Sequence, residues 1–274
     1  MSSGPFEKLH ALVDALSQAP GIVQYRRKGA YHRFVHNHDH RQLFDGVYAS
    51  YDEALANAPT VKPTGYDNDA SAQRYVAHMS ANDRDYPAMF WLEKSFAQGM
   101  RSVVDLGGSV GIKFYAFSKL MTWPQDLRWL VCDVPAVAKH GSRMAAEQGV
   151  ENQLHFTDAY ADMSGTDVLF ASGSAQFLPK PIAEVVADLP IKPRRVLINT
   201  AAIHPERDFY TLNSIGDAFC PYRVQSVGTL RRGMEALGYR LVAQWDHHEK
   251  QLNLPFEPGY SLKTYKGFCF DLNA

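Results

Sequence analysis

The chain has 274 residues, long for one domain and short for two full ones. Its 28 Lys and Arg against 29 Asp and Glu leave a formal charge of −1, so no basic footprint for nucleic acid or an anionic membrane is present. Cys132, Cys220 and Cys269 are odd in number, far apart and in no Cys-x-x-Cys pair, which argues against a disulfide framework and against a zinc knuckle. Met1 to Lys8 lacks a basic segment leading into an apolar core, and no apolar run is long enough to span a bilayer. A soluble, cytoplasmic protein is expected.

Up to about Gly99 the pattern is helical segments separated by polar loops. Phe6 to Ser17 places Leu9, Leu12, Val13 and Leu16 on one helical face. His32, His36, His38, His40 and Asp39 follow. Imidazole and carboxylate both ligate divalent ions, but the spacing is no recognised site, and a polar loop without metal is the expectation. Ser50 with Glu53 reads as a capping box opening a helix that Pro59 would end. Asp69 suits the cap of a helix carrying Tyr75, Val76 and Met79. Pro87 suits the first turn of another that holds Met89, Phe90, Trp91 and Leu92 and closes at Gly99. Core packing is the expected role of Phe90 and Trp91. Residues 1–98 thus read as a helical lid or dimerisation region, and residues 99–274 as a second unit.

That second unit begins with Arg101-Ser102-Val103-Val104-Asp105-Leu106-Gly107-Gly108-Ser109-Val110-Gly111, a buried strand ending in a carboxylate and a glycine-rich turn. Ile112 to Met121 has helical spacing, and its free N–H groups would face a ligand on the turn. A dinucleotide fingerprint needs glycine at 107, 109 and 112, and Ser109 and Ile112 break it. The remaining Asp-x-Gly-x-x-x-Gly pattern resembles motif I of the class I S-adenosylmethionine-dependent methyltransferases. A carboxylate there suits a ligand carrying an ammonium and a sulfonium, and would repel a pyrophosphate.

Strands and helices then alternate. A strand over Arg128 to Asp133 ends on a second carboxylate, followed by Val134-Pro135 and a helix to Gln148 that Gly149 closes. In a doubly wound sheet the strand carboxyl ends border the ligand crevice. There Asp133 can grip a ribose diol through charge-assisted bonds, or cap the helix that follows. Gln153 to Thr157 delivers Asp158 and Ala159 to the same rim, a place for the adenine. Asp167 to Ser172 runs into Gly173-Ser174-Ala175-Gln176, where small residues let the methionine part of a cofactor lie against backbone and Gln176 points toward the reaction centre. Arg195 to Thr200 follows, then a loop containing His204, a helix over Val227 to Leu237, and two strands, Tyr239 to Trp245 and Lys266 to Asp271. The expected fold is α/β, a Rossmann-like seven-stranded methyltransferase sheet with an N-terminal helical lid.

A longer ordered series narrows the resemblance. Gly46-Val47-Tyr48, Ser50 to Ala54, Gly65-Tyr66-Asp67, Ser172 to Pro179, Tyr210 to Gly216, Phe219 to Arg223 and Tyr265-Lys266-Gly267 together resemble the bacterial methyltransferases of the LIC12133 type. Asp133-Val134-Pro135 is also similar to the Asp-Leu-Pro of plant-type O-methyltransferases. The resemblance implies S-adenosylmethionine (SAM) held by Asp105, Gly107, Gly108, Ser109, Gly111, Asp133, Val134, Asp158, Ala159, Ser172, Gly173 and Ser174.

Plant-type enzymes carry a histidine base after their fourth strand, where this chain has Ser174, Gln176 and Phe177. His204 is therefore the first candidate base, with His78 second and Gln176 beside the reaction. Tyr66, Arg84 and Tyr86 are the candidate acceptor contacts, with Arg84 suited to a carboxylate. The expected function is methylation of a small-molecule O, N or carboxyl acceptor by in-line transfer, within a biosynthetic pathway and with a possible homodimer through the N-terminal helices. The alternative is a protein that binds SAM or S-adenosylhomocysteine without transferase activity and serves as a partner or scaffold.

Overall fold

The computed structural model describes residues 19–39, 41–65, 67, 79–216 and 218–273. Along the chain come α1 (Pro20–Val35), β1 (Gln42–Tyr48), α2 (Tyr51–Ala56), α3 (Tyr86–Ala97), β2 (Ser102–Leu106), α4 (Ile112–Phe117), β3 (Arg128–Cys132), α5 (Pro135–Glu147) and β4 (Leu154–Thr157). Then follow β5 (Val168–Ser172), α6 (Ile182–Ala187), β6 (Arg195–Ala201), β7 (Ile203–His204), β8 (Phe209–Ile215), β9 (Ala218–Ser226), α7 (Val227–Ala236), β10 (Tyr239–His247) and β11 (Tyr265–Leu272).

Seven strands form the main sheet in the order β10-β11-β6-β5-β2-β3-β4. The five strands from β6 to β4 run parallel, and β11 and β10 return antiparallel, as the alternation and the final hairpin predict. Strand order reverses between β2 and β5, and such a switch point opens a crevice at the carboxyl ends. Val103 and Val104 show how β2 is held, since successive residues of a strand point to opposite faces. Val103 packs with Leu92, Phe96, Phe114 and Trp129 on the α3 and α4 side, whereas Val104 packs with Val185, Leu230 and Met234 under α6 and α7. Each such side chain contributes about 1.5–3 kcal/mol by leaving water, so the strand that carries the glycine turn is clamped from both faces.

Residues 1–98 are less purely helical than their pattern implies. β1 pairs with β8 in a second, four-stranded sheet of order β1-β8-β9-β7. The β8–β9 hairpin, inserted between β6 and α7, escapes a pattern reading because both strands are buried almost throughout and do not alternate. Pro221 inside β9 also argues against a strand from sequence alone. α3 carries Pro87 in its first turn and closes at Gly99 as expected, but it lays Ala88, Met89, Leu92 and Phe96 on the main sheet and so forms part of the core layer. Phe90, expected in that core, is 58% exposed, while Trp91 lies against the Arg195 guanidinium at 5.3 Å. The Ser50 cap holds, with its hydroxyl accepting the Glu53 N–H at 3.0 Å. α4 stops at Phe117 rather than Met121.

The polar loop expected around the histidines is in part helix. His32 lies within α1 and His36 caps its end, with the two rings 4.4 Å apart. Among the described residues no group of three or more His, Cys, Asp or Glu is arranged to hold a metal. His40, the segment Phe6 to Ser17, and the segment with Asp69, Tyr75, Val76 and His78 lie outside the described residues.

Candidate active site

The turn after β2 is shaped by its glycines and by one strained serine. Gly107 and Gly111 have φ of 70° and 86°, and Ser109 adopts a left-handed φ of 55°, which a residue with a Cβ rarely does. A Cβ on Gly107 would stand 2.4 Å from that of Ser174, so the turn after β2 and the bend after β5 touch because no side chain separates them. The Gly107 N–H donates to the Cys132 carbonyl at 2.8 Å, and the Ser174 hydroxyl donates to the Leu106 carbonyl, tying three strand ends together.

Asp133 locks the other side of the turn. Its Oδ2 accepts the Ser109 N–H at 2.7 Å and its Oδ1 accepts the Val134 N–H at 2.8 Å. α5 is capped by Val134 rather than by Asp133, so the capping role does not materialise. Burial raises the Asp133 pKa, and those two N–H donors oppose the rise. A carboxylate offers about four acceptor positions, so each oxygen keeps one for a ligand hydroxyl. Asp67 reaches the same corner, its Oδ1 accepting the Ala136 N–H at 3.2 Å.

Asp105 lies beneath the turn. It is 1% exposed, a Cβ on Gly108 would sit 2.4 Å from its carboxyl carbon, and the Trp129 indole donates to it at 3.3 Å. Burial pushes its pKa up to about 7, against the pull of the Lys113 charge and the indole bond. Direct contact with a ligand ammonium is not offered by this geometry, so Asp105 acts on the turn from below. Asp158 and Ala159 stand exposed beyond β4, with the Ala159 N–H donating to the Thr157 hydroxyl at 3.1 Å. Thus Gly107, Gly108, Ser109, Gly111, Asp133, Val134, Asp158, Ala159, Ser172, Gly173 and Ser174 share one end of the parallel strands.

The candidate catalytic residues fare differently. His204 is 8% exposed, and its Nδ1 accepts the N–H groups of Glu206 at 3.0 Å and Arg207 at 2.9 Å. The ring also bonds to the Gly259 backbone, and burial lowers its pKa. Taking up a proton would break two hydrogen bonds, so His204 shapes its loop and is not positioned as a base. Gln176 donates to the Gly173 carbonyl at 2.6 Å and faces a small cavity lined by Ile182, Ile203 and Arg223. Tyr86 is 54% exposed, and Tyr66 lies outside the described residues.

Arg84 is placed in a second feature that the sequence pattern did not reveal. A cleft of about 120 Å³ lies beside the Ser172-Gly173 bend, bounded by Arg84, Asp85, Lys113, Thr200 and Lys250. Asn199, buried behind the cleft, ties two of its lining residues together, donating to the Arg84 carbonyl at 3.1 Å and to the Ser172 hydroxyl at 3.2 Å. Trp245 and His247 in turn hold the Asn199 side-chain Oδ1, at 3.1 and 2.9 Å. Trp245 can do so because Gly267 has no Cβ, which would stand 2.1 Å from the indole. One signal for Lys113 was available: a cation in the first turn of a helix opposes the helix dipole and needs a partner. Lys250 sits in a loop with no motif.

No protein-family model and no curated protein matches this chain. Solved structures similar in fold include the 1,6-didemethyltoxoflavin N1-methyltransferase of Burkholderia thailandensis with bound S-adenosylhomocysteine, at 15% identity and a TM-score of 0.45 over 70% of this chain and 79% of that one. An S-adenosylmethionine-dependent methyltransferase from Clostridium acetobutylicum ATCC 824 aligns at 9% identity and a TM-score of 0.46, over 75% of this chain and 98% of that one. The glycopeptide N-methyltransferase MtfA, complexed with S-adenosylhomocysteine, aligns at 14% identity and a TM-score of 0.47, over 76% and 99%. These likenesses are too distant to carry function, which rests on the site itself.

Proposed function

We propose that the protein is a class I methyltransferase that binds SAM across the carboxyl ends of β2, β3 and β5 and methylates a small molecule. The observation that supports this most is the pairing of a side-chain-free turn with Asp133. The turn has no room for side chains against Ser174 and Asp105, and Asp133 keeps an acceptor position on each oxygen beside it. Such a carboxylate suits a ribose diol, and Ser109 and Ile112 break the glycine spacing that a dinucleotide's pyrophosphate would need. SAM would supply an electrophilic methyl group there. Asp133 would hold the ribose, Asp158 and Ala159 would border the adenine, and the Gly107–Gly111 turn with Ser172 to Ser174 would seat the amino-acid end. The enclosed Asp105 would fix the turn's shape.

With His204 engaged by its own loop, catalysis would rest on positioning and on exclusion of water, which suffice for an acceptor that needs no deprotonation. Membership of the LIC12133 type, a biosynthetic pathway, and dimerisation through the N-terminal helices extend this reading on the sequence pattern alone. Among the described residues no helix is long and apolar enough to cross a membrane. Calorimetric titration with S-adenosylhomocysteine tests the proposal: saturable binding that Asp133→Ala weakens about tenfold supports it, and binding unchanged in that variant removes Asp133 from the site.

A further inference from the structure

The cleft beside Gly173 holds an unusual balance of charge. Arg84, Lys113 and Lys250 line it, and Asp85 is the one carboxylate among its described lining residues. Asp85 is already committed: Oδ1 accepts from the Lys113 ammonium at 2.6 Å, and Oδ2 accepts the Asn82 N–H at 3.0 Å. Its single negative charge therefore neutralises one cation and leaves two. Like charges in a partly desolvated cleft repel, and proteins retain such arrangements where a ligand completes them.

The cations are also held in place. Arg84 lies within the Asn82–Asp85 capping box, its N–H donating to Asn82 Oδ1 at 3.1 Å, and its carbonyl is pinned by Asn199. The Lys250 ammonium lies 4.8 Å from the centre of the Tyr265 ring, an attraction that fixes it without neutralising it. Thr200, on the same wall, keeps a left-handed φ of 54°, strain of the kind that gathers at binding sites.

We propose that this cleft binds an oxyanion of the methyl acceptor, a carboxylate or phosphate borne by a small molecule, with Arg84, Lys113 and Lys250 as its cationic partners. This rests on the methyltransferase reading of the adjacent crevice and names the acceptor class as anionic. Burial first, and then the Arg84 and Lys113 charges, hold the Lys250 pKa down at about 8. The other groups facing it leave the sign unchanged: Asp85 is paired with Lys113, burial keeps His247 neutral with a pKa of about 4, and burial raises the Tyr265 phenol. Below pH 8 Lys250 is an ammonium and the oxyanion binds. Above it the cleft loses one positive charge and affinity falls.

The test is calorimetric titration of the full chain, with and without saturating S-adenosylhomocysteine, using benzoate, inorganic phosphate and neutral benzamide as probes. Expected is saturable binding of benzoate or phosphate, weakened about tenfold by Lys250→Met and by Arg84→Gln, retained in Lys250→Arg, and, for benzoate, whose own charge does not change, weaker at pH 9 than at pH 7. Benzoate alone points to a carboxylate acceptor, and phosphate alone to a phosphorylated one. Oxyanions that fail to bind, that bind no better than benzamide, that are displaced by saturating S-adenosylhomocysteine (whose own carboxylate would then fill the cleft), or that bind both variants as tightly as the wild type overturn the proposal. S-adenosylhomocysteine binding is read separately. Its failure with the oxyanion still bound sinks the methyltransferase reading and leaves an anion site, whereas its success with no oxyanion bound sinks this inference alone.

Discussion

The two ends of β6 both hold buried charge, and they are built in opposite ways. At the amino end Arg195 is completed by the protein: its guanidinium donates to both oxygens of Asp271 at 2.7 and 2.9 Å, to the Ser95 hydroxyl at 2.9 Å and to the Gln98 side-chain Oε1 at 3.1 Å. At the carboxyl end, past Asn199 and Thr200, three cations share one carboxylate. The first arrangement satisfies its donors and adds nothing that a ligand needs. The second leaves charge uncompensated, costs stability, and makes sense as a place for a ligand to finish.

The contrast can be broken most forcefully at the amino end. Arg195→Leu strands the Asp271 carboxylate and should destabilise the fold by about 3–5 kcal/mol in urea denaturation. A loss below about 1 kcal/mol would place Arg195 among ordinary surface pairs. Gly108→Ala comes next. Its Cβ meets the Asp105 carboxyl group at 2.4 Å, so about 1–3 kcal/mol of stability should be lost together with cofactor affinity. Preserved affinity would show that the turn does not touch the ligand.

Lys250→Met should act with the opposite sign, raising stability at pH 7 by about 1–2 kcal/mol because a desolvated, repelled ammonium is removed. The folded protein loses this proton near pH 8, while the unfolded chain keeps it to 10.5. Between those values the unfolded state binds more protons, so wild-type stability rises with pH. The variant should lack that rise, and urea melts at pH 7 and pH 10 compare the two. A smaller effect is expected at His204. His204→Gln should cost about 1 kcal/mol through the lost loop bonds and leave the pH profile of methyl transfer in place. A profile that loses a titration near neutrality would restore His204 as a base.

What was legible in the sequence follows the same division. The parallel sheet, the glycine turn and Asp133 announce themselves because a strand covered on both faces, a Cβ-free turn and a carboxylate at a strand end leave local marks. Lys250, Asn199 and Asp85 come together only through the fold, from a loop after β10, the end of β6 and the turn before α3. No spacing records their meeting. The β8–β9 hairpin stayed hidden for a related reason, since its strands are buried against α2 and the single 3-10 turn at Ala175–Phe177 and so lack a polar face. His204 misled because position near the crevice says nothing about whether a ring's nitrogens are already spent.

The most direct measurement is thermal unfolding of wild type and Asp133→Ala with saturating S-adenosylhomocysteine. A ligand at about a hundredfold its dissociation constant adds about 2.7 kcal/mol, which raises the midpoint by several degrees. The expected result is a shift of that size in the wild type that shrinks in the variant. Equal shifts in both proteins, or none in either, would contradict the placement of the methyl donor on the Gly107–Gly111 turn beside Asp133.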